Sequence, residues 1–387
     1  FNKGRTQWPN AVKLQSSHSA DCSTVKPVAS ARFLGIWLDR KLSWKAHKEA
    51  VNKKLRTQEF ALSRIAAKTW GPGLIRAREV YTKCIRSAIA YGASSFHTPT
   101  PVGGKPRGIA TSLTKAQNRS LRIVAGAYKA TPIRSLETET WVPPLDLYLN
   151  KRVADFERRI QTPFEPTSQR TPGSIIQKAR NKVAERFRNL RRRGRRRRPQ
   201  PQEPTPTERA ATAVEVWASQ GSTTEEALEI AWKNRWDAEY STRRRGRPDR
   251  RLRTTQPADD NPQFSDKTLR VHSCLKKAES SLLVQARTGA IGLRDFLFRT
   301  GVRGVATPYC DCGTGRETVE HLVVWCPNPP KPKTWTASEI RSRRDLHKAL
   351  QGGGRGKAAL ARAVVSWLLS SGRLPEYRLA RKLELEQ

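Results

Sequence analysis

The stretch CDCGTGRETVEHLVVWC, Cys310 to Cys326, holds three of the six cysteines and one of the six histidines of this 387-residue chain. Taken as ligands, Cys310, Cys312, His321 and Cys326 have the spacing C-x-C-x8-H-x4-C. Zinc takes four thiolate or imidazole donors in a tetrahedron, and a close cysteine pair followed by a short His-to-Cys step supplies them from little chain. Gly313 and Gly315 permit a tight turn after the first pair. A helical stretch from Glu317 to Trp325 would point His321 inward and stop at Pro327, with Leu322 and Trp325 packing on a small core. The one-residue gap between the first two cysteines is tighter than usual, and the same four residues also occur by chance in a small apolar hairpin. Structural zinc is the expectation. A catalytic zinc is disfavoured, because four protein ligands leave no open position.

The second chemistry is charge. Lys and Arg number 74 against 34 Asp and Glu, a formal net charge of +40. A surplus of that size points to a polyanionic partner, and nucleic acid precedes a membrane because no long apolar run accompanies it. In RFRNLRRRGRRRRP (Arg186 to Pro199), the residues Arg191, Arg192, Arg193, Arg195, Arg196, Arg197 and Arg198 can neutralise phosphates without reading sequence. A second cluster, RRRGRPDRRLR, runs from Arg243 to Arg253. The plainer reading of such runs is a nuclear-import signal or a solvated tail; phosphate contact is favoured, with nuclear import as a by-product. Trp232 and Trp236 either stack on bases or, as favoured here, form a helix face buried against a partner. No signal peptide, transmembrane segment or paired-cysteine framework is evident, which fits a reducing nuclear or cytosolic setting.

Catalytic constellations are scarce. Two-metal polymerases and nucleases need close carboxylates. No Asp lies between Phe156 and Trp236, and the one Asp-Asp pair, Asp259-Asp260, sits in a Pro- and Gln-containing stretch that reads as loop polarity. Asp39, His47 and Asp146 read as a strand-end turn, a helix-start contact and a helix cap. Whether the chain is an enzyme is left open, with catalysis by this chain alone not expected. It starts at Phe1 and contains no Met, which suggests a piece of a longer product.

The elements that must position these residues are mainly helical. Phe33-Leu34-Gly35-Ile36-Trp37-Leu38-Asp39 is long enough for one buried strand. From Trp44 the period turns helical, with Val51, Leu55, Leu62 and Ile65 on one face and Gly71-Pro72-Gly73 as the stop. A second helix carries Val80, Cys84, Ala88 and Tyr91, and a third spans Leu113 to Ala125 and stops near Gly126. Thr131-Pro132 reads as an N-cap followed by Pro at the first helical position. Leu149, Val153, Phe156 and Ile160 mark a further stripe. Ser222-Thr223-Thr224-Glu225 opens a helix with a capping box inside an otherwise disordered connector. A helix over Leu269 to Ala286 precedes the cysteine cluster, and two helices separated by Gln351-Gly352-Gly353-Gly354 follow it.

Three blocks carry a family likeness. FLGIWLDRKLSWKAH (Phe33 to His47) resembles the segment that closes the palm and enters the thumb of LINE-type (non-LTR) retrotransposon reverse transcriptases, especially fungal ones. AQNRSLRIVAGAYKATPIRSLETETWVPPLDLYLNKR (Ala116 to Arg152) resembles their thumb. AESSLLVQARTGAIGLRDFL (Ala278 to Leu297) with CDCGTGRETVEHLVVWCP is similar to their carboxy-terminal Cys-Cys-His-Cys knuckle. The resemblance implies an end of palm at 1–45, a helical thumb at 46–160 and a helix plus zinc knuckle at 268–330; the Arg/Pro-rich connector at 161–267 and the helical tail at 331–387 are read from composition and periodicity and add little to it. The family's polymerase aspartates lie upstream of the first block, so this chain is expected to lack that active site. Mg2+ is then expected only in the parent polymerase, and the ribonuclease H domain that many relatives carry between thumb and knuckle is expected to be missing. Implied partners are primer–template, element RNA, chromosomal DNA and the upstream polymerase portion of the same element. Lys53, Lys54, Arg56, Arg119 and Arg122 would contact phosphates from the thumb or form an ordinary solvated face, and Arg316 and Trp325 would contribute to the knuckle's grip on RNA or target DNA. The alternative is a stand-alone RNA-binding zinc-knuckle protein of the nucleus or nucleolus.

Overall fold

The computed structural model describes residues 12–15, 22–26, 28–99, 108–160, 221–245, 256–260, 262–332, 340–352 and 357–385, plus isolated positions between 171 and 178. The described chain is mainly helical, with β-structure confined to its N-terminal part apart from one isolated bridge. Strands β1 (Val12–Gln15) and β2 (Cys22–Val25) form one antiparallel pair, and β3 (Ser30–Phe33) and β4 (Ile36–Asp39) another. The apolar run Phe33 to Asp39 is therefore not one buried strand. Leu34 and Gly35 take positive φ, 45° and 84°, the combination that closes a two-residue hairpin. That turn leaves Phe33 and Leu34 on the surface. Asp39 then accepts from the backbone amides of Lys41, Ser43 and Lys45, the strand-end turn expected of it. Those bonds hold its carboxyl below the usual range, the Ser43 amide contributing most.

Helix α1 (Lys45–Ile65) packs on α5 (Ile109–Ala125), which stops at Gly126 with φ 61°. Its buried stripe is Leu55, Glu59, Leu62 and Ala66 rather than one ending at Ile65, which is exposed. Steps of 4, 3 and 4 keep the stripe on one face, and Ile65 lies about 100° away from it. The next helix is continuous through α2 (Leu74–Val80), a π turn (Tyr81–Ile85) and α3 (Arg86–Ala90). Its core face is Ala77, Tyr81, Ile85 and Ile89, one residue round from the expected Val80, Cys84, Ala88 and Tyr91; Cys84 and Tyr91 are exposed. Both registers have helical spacing, and the larger Tyr81 and Ile85 side chains take the core. After α4 (Ala93–Phe96) come α6 (Ile133–Glu139) and α7 (Leu145–Ile160). Pro132, not Thr131, occupies the N-cap of α6, and the buried Thr131 hydroxyl has no partner. Asp146 is no cap either. It is buried and accepts from both terminal nitrogens of Arg235 at 2.7 Å.

Arg235 lies on α8 (Thr224–Arg245), which packs on α7. The start of α8 is capped one residue later than expected, since the Glu226 amide donates to the Thr223 hydroxyl at 3.1 Å. Trp232 and Trp236 are buried, with Phe264 edge-on to both, so the face is covered by the chain itself. Asp259 and Asp260, in the short helix α9 (Pro257–Asp260), bond Ser135 and His347 instead of serving as loop polarity.

The expected helix over Leu269 to Ala286 is two pieces. These are α10 (Lys267–Arg270) and α11 (Lys277–Thr288), separated by Cys274 at φ 67°. All of α11 but Glu279 is buried, because it stands between two cores. Val284 joins the first core, with Leu55, Tyr81 and Leu121, while Ala278, Leu282, Leu283 and Ala286 join the second. The second core is completed by Ile291 and Leu293 just before α12 (Arg294–Arg299), a π turn (His321–Trp325), α13 (Arg343–Gln351), α14 (Lys357–Ser370) and α15 (Arg378–Leu385). Polar bonds cross between the cores. Arg287 grips Glu139 at 2.7 Å and the Leu350 carbonyl at 2.7 Å, and the Lys277 ammonium donates to the Val124 carbonyl at 2.6 Å.

Candidate metal centre and basic surfaces

The cysteine cluster is built on a β-turn hairpin and a π turn. The Cys310 amide donates to the Gly315 carbonyl at 2.8 Å, the Gly313 amide to the Cys310 carbonyl at 3.0 Å, and Gly313 has φ 75°. Gly315 is needed for space, since a Cβ there would meet His321 Nδ1 at 2.8 Å. The helical stretch begins at Val319, later than Glu317, and becomes a π turn from His321. The Cys326 amide donates to the His321 carbonyl at 2.7 Å, an i→i+5 closure. Five α-helical steps of about 100° would leave Cys326 about 140° round from His321, whereas a π turn returns it to nearly the same side. The irregularity thus aims both ligands at one point.

All four donor atoms, the sulfurs of Cys310, Cys312 and Cys326 and a ring nitrogen of His321, lie within 4.8 Å of one another. The Cys310 and Cys326 sulfurs are 3.7 Å apart, and Cys312 Sγ lies 3.1 Å from His321 Nε2. A tetrahedral zinc with Zn–S of about 2.3 Å has sulfur–sulfur edges of about 3.8 Å. The donor set and its spacing fit a metal ion. Cys310, His321 and Cys326 are buried and Cys312 is half-exposed. The Thr314 hydroxyl, 3.1 Å from Cys312 Sγ, is the largest cause holding that thiol down to about 6, with His321 adding to it. Burial pushes Cys310 up to about 11. Cys312 is therefore the thiolate first offered at neutral pH. Leu322 packs inside as expected, but Trp325 is exposed and does not join the core.

Charged side chains surround the centre in two sets. Arg294 and Arg373 both bond Asp311, and Arg373 also reaches Glu317 at 3.4 Å. Arg316 and Arg299 share the carboxylate of Asp295, at 2.5 and 2.9 Å. Sequence reasoning passed over Thr314 and Asp295, and gave Gly315 a turn rather than the close approach to His321 that it serves. Thr314, two residues after Cys312, was the available signal for the first, while the second is a contact across the fold.

The expected phosphate contacts divide. Lys53, Lys54 and Arg56 are exposed on α1. Arg119 is paired through two bonds with Glu59, at 2.8 and 3.0 Å, although half its side chain stays open to solvent. Arg122 donates to the Asn118 and Lys129 carbonyls, and partial burial lowers its pKa. Arg191, Arg192, Arg193, Arg195, Arg196, Arg197 and Arg198 lie outside the described residues. Arg316 belongs to the metal-centre surface, not to that of α1 and α5.

Fold and site together define a mainly helical protein with a Cys3His group able to hold a metal ion. No protein-family model, curated protein or solved structure matches the chain. Among the described residues no helix is long and apolar enough to cross a membrane.

Proposed function

We propose that this chain is a nucleic-acid-binding portion of a LINE-type reverse transcriptase, with structural zinc in its Cys3His centre. In this reading the bundle α1–α7 holds a primer–template duplex through its backbone, and the zinc-centred module grips RNA or DNA beside it. The polymerase carboxylates, with their Mg2+, belong to the upstream portion of the same element, and the setting is nuclear. The observation that carries the reading is a convergent Cys3His donor set in a chain of net charge +40. Four protein ligands leave zinc a scaffolding part, so the chain's own work is binding and positioning. The three sequence blocks supply the family; the exposed Lys53, Lys54 and Arg56 supply cations on the bundle.

The test is to purify the chain under reducing conditions, measure bound zinc, and titrate an RNA–DNA primer–template across a salt series. One zinc per chain and affinity falling steeply with salt are expected, because phosphate neutralisation releases counterions. Salt-insensitive binding, or none, would refute the nucleic-acid reading, and a zinc-free chain would refute the metal. Primer extension by the purified chain would overturn the assignment of catalysis to an upstream portion.

A further inference from the structure

We propose that the outer face of the metal-site hairpin binds one unpaired nucleotide of a single strand, its base stacked on Tyr309 and its phosphate held by Arg316 and Arg299. This deepens the preceding proposal and rests on it. Tyr309 and Arg316 are bridge partners on antiparallel segments. The flanking bonds run from the Cys310 amide to the Gly315 carbonyl and from the Glu317 amide to the Pro308 carbonyl. They make Tyr309 and Arg316 a non-hydrogen-bonded pair, the kind whose side chains stand closest on one face. The tyrosine is 56% exposed.

Charge selects the anion-binding half of the site. Arg294 and Arg373 face two carboxylates, Asp311 and Glu317, and are neutralised. Arg316 and Arg299 share one, Asp295, which leaves a surplus positive charge. Asp295 engages both through Nε, so their terminal nitrogens have no acceptor among the described residues. The side chains remain 38% and 49% exposed. A buried carboxylate thus holds two guanidiniums in place while their outer donors stay available, an arrangement suited to a phosphate oxygen. A ring face beside fixed guanidiniums matches an aromatic platform with a backbone clamp. Duplex bases have both faces covered by their neighbours, so the site selects an unpaired one. Trp232 and Trp236 cannot serve, being buried.

The experiment uses the zinc-loaded full chain with short single strands of RNA and of DNA carrying 2-aminopurine, and with a duplex of the same length. Stacking on one aromatic ring corresponds to roughly 5- to 150-fold in affinity. Tyr309→Leu is expected to weaken single-strand binding within that range, in both the RNA and DNA arms, and to abolish the 2-aminopurine quench. Duplex affinity and zinc content should stay unchanged, and Tyr309→Phe should retain the wild-type behaviour. Should leucine disturb the hairpin, as seen by lost zinc, Tyr309→Thr keeps a β-forming residue in the bridge and decides the matter. Unchanged single-strand binding, or an equal loss on duplex, overturns this inference and leaves the preceding proposal standing. A wild-type chain that binds no nucleic acid overturns both.

Discussion

The two cores of this molecule are closed by different means. In the bundle, side chains suffice: Leu55, Tyr81, Leu113 and Leu121 fill the centre, and the Tyr81 hydroxyl finds Gln117 at 2.8 Å. In the C-terminal core, Cys310 and Cys326 sit among Leu282, Leu322 and Leu350 as members of the apolar cluster. Among the described residues between α11 and α13 there is little regular structure apart from α12 and one π turn. Long helices bury a stripe each and need no staple. Loop-rich chain buries less per residue, and the proposed four-ligand site would fasten it instead. On the proposal of structural zinc, the metal site would substitute for missing helical packing.

The largest effect should come from the ligands. Structural zinc contributes on the order of 10 kcal/mol in small modules. Cys310→Ser should therefore release the ion and erase amide protection over the segments around residues 300–330, while α1–α7 keep theirs in hydrogen-exchange mass spectrometry. Equal loss in both regions would break the comparison. Next comes the link between the cores. Arg287→Met strands the buried Glu139 carboxylate and should cost about 4 kcal/mol in denaturant unfolding. The double change Arg287→Met with Glu139→Leu should recover much of it; no recovery would show that the pair is not the coupling.

Leu121→Ala, at 0% exposure, should destabilise the bundle by about 3 kcal/mol with zinc affinity unaltered. Acid should weaken the other core through His272. Burial depresses His272 to about 3, well below its unfolded value of about 6.5. Because the folded pKa is the lower one, its stability is fully present above about 6.5 and drains away as pH falls toward about 3. With zinc kept saturating, His272→Asn should flatten the decline of C-terminal stability just below pH 6.5. A slope identical to wild type would remove His272 from the account. The smallest effect is at Glu59, whose replacement by Gln should cost about 1 kcal/mol or less. It frees Arg119 from its pair, so duplex binding should tighten and the salt slope steepen by about one counterion.

The legible part of the molecule was the part written in local pattern. The Cys-x-Cys…His…Cys spacing identified four side chains that do converge, and Gly126 and Gly352 marked real helix ends. What the pattern concealed falls into two kinds. One is register: α2–α3 could bury either of two stripes, and only packing against α1 and α5 chose Tyr81 and Ile85 over Cys84 and Tyr91. The other is pairing across long separations. Asp146 read as a cap and Asp260 as loop polarity because their partners Arg235 and His347 lie far along the chain, and nothing local marked Asp295 as the partner of Arg316. The exposed Trp325 is a related case. An α-helix was assumed, and the π turn that aims His321 and Cys326 together turns Trp325 outward.

The position of α11 bears on how the chain assembles during synthesis. Most of the bundle is encoded before residue 160, yet its core includes Val284, so it is sealed only when α11 emerges. The other side of that helix then waits for the Cys3His segment and the last helices behind it. Domains otherwise tend to mature in the order they are made. Here the first core to form is finished by a helix borrowed from the second, and zinc would be among the last components taken up. A ribosome stalled shortly after residue 288 would carry a nearly complete bundle with one bare apolar face, a natural place for a chaperone to hold on.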